Sequence, residues 1–111
     1  MRKLVSVRFP YLDVPQQTKV RPALCLTKPL GKHQIVIIAF ITTQHEDILP
    51  TDVVLDTVDE AFVQTGLKRP SVIRLHKLTS VTVESIQGEI GTLSASWEQE
   101  VQKKLTLLFN L

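Results

Sequence analysis

The chain has 111 residues, 43% of them hydrophobic, with a formal net charge of +2. That length favours a single domain over residues 1–111, small enough that dimerisation is an expected aid to stability. The longest apolar run, Ile35 to Ile41, is too short to cross a bilayer, no secretory h-region opens the chain, and the lone cysteine, Cys25, excludes a disulfide framework, so a reducing cytoplasm is the expected setting.

In chain order, "KLVSVRF" alternates Val5, Val7 and Phe9 against Leu4, Ser6 and Arg8, which predicts a first strand. "PYLDVPQQTK", with two prolines and a polar centre, predicts a loop. "KVRPALCLT" predicts a buried second strand through Val20, Ala23, Leu24, Cys25 and Leu26, with Arg21 at its mouth in front of a proline. "PLGKHQ" is a turn with Gly31 in the left-handed conformation. "IVIIAFITT" is a β-branched run that predicts a central strand, "QHEDILP" a polar loop, and "DVVL" a short strand. "DTVDEAFVQTG" changes period: Thr57 and Glu60 form a capping-box pattern and Gly66 a stop, so a short helix is expected. "SVIRL" and "LTSVTVESIQGEIGTL" return to strand spacing, broken by Gly88 and Gly91. The last segment, "SASWEQEVQKKLTLLFNL", places Trp97, Val101, Leu105 and Leu108 on one helical face. Ser96 and Gln99 form a capping box there, and Glu98 and Glu100 precede Lys103 and Lys104 as the helix dipole favours. The whole predicts a mainly β domain: a small barrel closed or plugged by helices, with Trp97 in its core.

Charge is distributed in blocks. Residues 1–32 hold seven Lys/Arg and one acid, residues 33–60 six acids and no Lys/Arg, and residues 61–111 six Lys/Arg and four acids. A basic first block suggests a polyanion surface, unless folding mixes the charges. Chemistry-bearing motifs are few. His33, His45 and His76 lie in separate segments at no metal-site spacing, and Cys25 is mid-strand. No phosphate loop, dinucleotide fingerprint or nucleophile elbow is present, so neither a metal nor a cofactor is expected. What remains is Arg21 at one strand start and Thr42, Thr43 and Gln44 at another strand end. If the two strands pair antiparallel through the Gly31 turn, Arg21 and Thr42 meet at one end of the sheet. A forked guanidinium and a neutral hydroxyl can hold a phosphate there. An edge salt bridge and a strand-forming threonine are the ordinary reading of the same residues.

The chain resembles the MazF/PemK-type toxins, the ribonuclease half of a bacterial toxin–antitoxin pair. "LVSVRFPYLD", "KVRPALCLT", "AFITTQ" with "LPTDVVLD", "TGLKRPSVIRLHKLTSV" and "GEIGTLS" before a terminal helix match the family's motifs in order. It departs from them with Arg2 and Lys3 where the family often has Gly-Asp, and with "VPQQTK" before Arg21 where a Gly-rich acidic loop is common. The resemblance implies an SH3-like barrel acting as a homodimer, which cleaves single-stranded RNA (mRNA) at short sequences without a metal. It also implies inhibition by a cognate antitoxin, with DNA reached only through that antitoxin. Arg21 and Thr42 match the family's catalytic arginine and threonine; Thr43 is one residue away, on the opposite face of the strand.

Base recognition is then expected from the flanking loops, with Tyr11, Gln17, Thr43 and Gln44 as RNA contacts and Tyr11 as a stacking platform. Lys19, Lys28, Lys68 and Arg69 are expected to hold neighbouring phosphates. Two other readings stand beside this one. One is a CcdB-like toxin that binds gyrase, against which the ending "LFNL" counts because that family ends in a tryptophan-containing tail. The other is a barrel that binds nucleic acid without cutting it.

Overall fold

In the computed structural model, residues 2–10 and 18–111 are described, without the side chains of Phe9, Pro10, Thr18 and Lys19. The alternating and β-branched runs become six strands: β1 (Lys3–Pro10), β2 (Thr18–Cys25), β3 (Ile35–Thr42), β4 (Asp52–Leu55), β5 (Ser71–Thr82) and β6 (Ile86–Thr92). They form one antiparallel sheet in the order β4-β5-β3-β2-β1-β6. The β2–β3 turn is built as predicted, with Gly31 at φ 71 and Leu30 bridged to Ile35. The C-terminal helix, α1 (Ala95–Phe109), follows β6 directly.

Strand alternation divides the apolar side chains between two faces. Leu4, Leu24, Ala39, Ile41, Val53, Leu55, Ile73 and Leu75 pack with Phe62, Leu93, Trp97 and Val101 in the main core under α1. Val5, Val7, Ala23, Val36 and Ile38 form a smaller cluster. Trp97 is therefore core, as its helical spacing implied. Among the described residues no helix is long and apolar enough to cross a membrane.

The edge strands β4 and β6 do not pair, so the SH3-like sheet is not closed by hydrogen bonds. A 3-10 helix after β4, Glu60–Thr65, bridges the seam instead. A Cβ on Gly91 would overlap the carbonyl oxygens of Gln64 and Thr65, and one on Gly66 (φ 72) the carbonyl of Ile90. Gln64 Nε2 also donates to Thr92 Oγ1 at 3.1 Å. Both glycines are needed because backbone meets backbone here.

Several local expectations are corrected. The helix at residues 60–65 is 3-10, and its cap is Asp59, which accepts from Ala61 N, rather than Thr57. The cap of α1 is Ser94, which accepts from Trp97 N, rather than Ser96. Val20 is 51% exposed, not buried, because the β2–β3 ladder stops at Ala23↔Phe40 and leaves the start of β2 paired to β1 alone. "SVIRL" and the segment from Leu78 belong to one strand, β5, whose pairing to β3 jumps from Arg74↔Phe40 to Leu78↔Ala39. Leu75, His76 and Lys77 form the bulge between them. Gly88 and Gly91 do not break β6; they lie within it, where the β1–β6 ladder carries its register shifts.

Candidate nucleic-acid groove

Pro22 has no N–H to offer a ladder, and the β2–β3 pairing ends one residue after it, at Ala23. The sheet opens there, while β3 continues on its other side along β5 as far as Thr42↔Val72. The opening is a groove of about 480 Å3 lined by Arg21, Pro22, Thr43, Lys68 and Arg69, with Ser6, Val20, Gly66 and Ile90 among its walls. Among the described residues lining it there are three cations and no carboxylate. The chain enters it after Gly66, whose left-handed turn ends the 3-10 helix and points "LKR" across the mouth.

Arg21 is half-buried and pairs in register with Val7 of β1. By alternation its side chain belongs to the face of Ala23. The Ala23↔Phe40 register, carried two residues further, sets Arg21 across from Thr42 on that same face. The ladder itself does not extend so far. Thr42 is partly buried, and its Oγ1 accepts from Gln44 N at 3.2 Å. Thr43 is exposed, shares the parity of Ile41 and lines the groove with Arg21. The groove lining thus unites Arg21, Thr43, Lys68 and Arg69, whereas Thr42 shares a face with Arg21 without lining that cavity.

The other expected contacts scatter. Gln44 is exposed beside Thr43. Lys28 lines a different groove, described below. Tyr11, Gln17 and the side chain of Lys19 lie outside what is described. His45 is bound to its own loop, with Nδ1 2.8 Å from the carbonyl of Thr43. Among the described residues no three His, Cys, Asp or Glu side chains converge as a metal site.

A second groove, about 770 Å3, lies over the smaller apolar cluster and is lined by Arg2, Lys3, Cys25, Lys28, Glu89 and Glu98 with Val5, Val36 and Ile86. Two of its three cations are paired: Arg2 Nη1 sits 2.6 Å from Glu98 and Lys3 Nζ 2.7 Å from Glu89. The bond to Glu89 raises the Lys3 pKa. Burial, followed by the nearby Glu89, raises that of the Cys25 thiol.

Sequence reading missed one constellation. Asp52, the first residue of β4, has no exposed side-chain surface and holds an ion pair with Arg74 of β5, directly across the ladder. His76 Nδ1 lies 3.5 Å from the other Asp52 oxygen, and Lys104 of α1 donates to the Asp52 carbonyl at 2.8 Å. The available signal was a charge inside each apolar run, "DVVL" and "SVIRL".

Fold and groove together define a small antiparallel β protein with a cationic opening across one end of its sheet. The sequence model of the PemK-like, MazF-like toxins of type II toxin–antitoxin systems matches residues 2–109, and the chain belongs to that family. Among solved structures it is similar to the Mycobacterium tuberculosis toxin MazF-mt6, with 30% identity and a TM-score of 0.72, over 99% of this chain and 98% of that one. No match was found among curated protein sequences. The chain is thus the toxin of a toxin–antitoxin pair.

Proposed function

We propose that the chain is a sequence-specific endoribonuclease that cuts single-stranded RNA, mRNA above all, in the cytoplasm, and that its reaction needs no metal. The observation that carries this reading is the opening beside Pro22, where three cations and no described carboxylate line a groove next to the Thr42–Thr43 strand end. RNA supplies its own nucleophile. The 2′-hydroxyl attacks the adjacent phosphorus, the bond to the 5′-oxygen breaks, and the proton lost from one oxygen is balanced by one gained at the other. Products are a 2′,3′-cyclic phosphate and a 5′-hydroxyl.

Arg21 stabilises the charge that builds on the phosphoryl oxygens; because a guanidinium stays protonated, it is not the base. Thr42, with its oxygen already accepting from Gln44 N, has its hydroxyl proton to donate to a phosphate oxygen and so holds the group in line. Thr43 and Gln44 contact the bases or sugar beside the cut, and Lys68 and Arg69 hold flanking phosphates. The protein works as a homodimer. Its antitoxin covers the groove with an acidic, apolar segment and carries any contact to DNA.

The test is to incubate a long RNA with the protein in EDTA and map the 5′ ends. A discrete set of sites bearing 5′-hydroxyls, absent with Arg21→Ala and Thr42→Ala proteins that remain folded, is expected. Uncut RNA, or equal cutting by both variants, would overturn the reading.

A further inference from the structure

We propose that Arg74 is a positioning residue: it holds the β3–β4 loop in one conformation, sets the Thr42 hydroxyl through that loop, and thereby tunes which RNA sites are cut. The proposal rests on the endoribonuclease reading of the groove.

The loop after Thr43 has few main-chain bonds of its own; Asp52 N to Leu49 O, 3.0 Å, is the turn that closes it. Side chains hold the remainder. Arg74 Nη2 donates to the carbonyls of Glu46 at 2.7 Å and Gln44 at 3.4 Å, and Nη1 to that of Asp47 at 3.2 Å. Nη1 also meets Asp52 Oδ2, which in turn accepts from Leu49 N at 2.7 Å. One buried guanidinium and one buried carboxylate thus fasten four of the six residues from Gln44 to Leu49. Asp47 stands at φ 53, a left-handed conformation that an L residue adopts reluctantly, and its carbonyl is one of those Arg74 holds. Only a planar fork with several donors reaches three carbonyls and a carboxylate at once.

The link to the reacting end is short. Arg74 binds the Gln44 carbonyl, and Gln44 N donates to Thr42 Oγ1. Moving Gln44 therefore turns the Thr42 hydroxyl and shifts Thr43, which lines the groove. Arg74 itself is 8% exposed and faces Asp52, so it acts through the loop rather than on RNA.

Two variants test this. Arg74→Lys keeps a charge against Asp52 but not the fork. The double variant Arg74→Met/Asp52→Leu removes both buried charges, an exchange that buried ion pairs commonly tolerate. For whichever folds, amide hydrogen exchange at Gln44, whose acceptor Thr42 is untouched in both variants, should accelerate at least about tenfold. Cleavage turnover should fall about 10- to 100-fold with KM little changed, and the relative rates at different RNA sites should change. A defect that merely destabilised the fold would slow all sites in proportion. Unchanged exchange overturns the loop role; faster exchange with unaltered turnover and site ratios overturns the coupling to Thr42. If the wild-type protein cuts no RNA, the endoribonuclease reading falls by itself, while the exchange result still decides whether Arg74 holds the loop.

Discussion

The two grooves differ in a way their sizes conceal. The larger, over Val5 and Val36, carries Arg2, Lys3 and Lys28, but Glu98 and Glu89 pair with the first two. The smaller, beside Pro22, has Arg21, Lys68 and Arg69 and no described carboxylate in its lining. A polyanion is drawn to a lining that carries cations and no described carboxylate. The volume that invites a ligand and the charge that invites RNA therefore lie in different places, and charge balance decides which is the candidate site.

The largest expected effect separating the grooves is on chemistry. Arg21→Ala should lower single-turnover cleavage by about 10²- to 10³-fold, the usual loss when one donor to a developing oxyanion is removed. Arg2→Ala, in the other groove, should leave the rate within a factor of about two, since Arg2 lines only that groove and is paired with Glu98. Next comes salt. Replacing Lys68 and Arg69 by alanine should flatten the dependence of RNA affinity on salt by roughly 0.7 per cation in a log–log plot, and Lys28→Ala should not. Fluorescence anisotropy over a salt series measures both.

A structural contrast follows. Gly66 lines the groove beside Pro22 and has no room for a Cβ, so Gly66→Ala should cost about 1–3 kcal/mol of stability by denaturant melts and slow cleavage. Gly88→Ala, with nothing within 4 Å of the added carbon, should cost little. The smallest effect belongs to Cys25. Its thiol pKa is raised by burial, so iodoacetamide should label it more slowly than a small thiol at mildly alkaline pH. The sign for stability follows from the unfolded thiol ionising first. The contribution is full below the ordinary thiol pKa, about 8.5, and is lost as pH rises from there through the raised folded value. Cys25→Ser should flatten that decline.

Much of this architecture was legible because the strands announce themselves. "IVIIAFITT" has no breaker, Gly31 supplies a left-handed position in the turn between β2 and β3, and the spacing of Trp97 and Val101 marks the buried stripe of α1. Caps were less legible because Ser94 and Ser96, or Thr57 and Asp59, are equally suited in type and differ only in where the preceding chain leaves off. The β5 bulge was read as a gap between strands, since exposed His76 and Lys77 interrupt the apolar pattern as a loop would. At the site, antiparallel pairing of β2 and β3 through the Gly31 turn was legible, and it sets the start of β2 toward the end of β3. The groove could not be foreseen, because it depends on where the β2–β3 ladder stops and on Lys68 and Arg69 arriving from beyond the 3-10 helix. Asp52 and Arg74 were missed because a pair 22 residues apart meets only through strand register.

The central claim is that RNA enters the opening beside Pro22. The most direct measurement is an amide chemical-shift map with an RNA whose scissile nucleotide lacks its 2′-hydroxyl, so that it binds without being cut. Shifts concentrated at Arg21, Thr42, Thr43, Lys68 and Arg69 are predicted. Shifts concentrated instead at Lys3, Lys28, Glu89 and Glu98, with the first group unmoved, would contradict it.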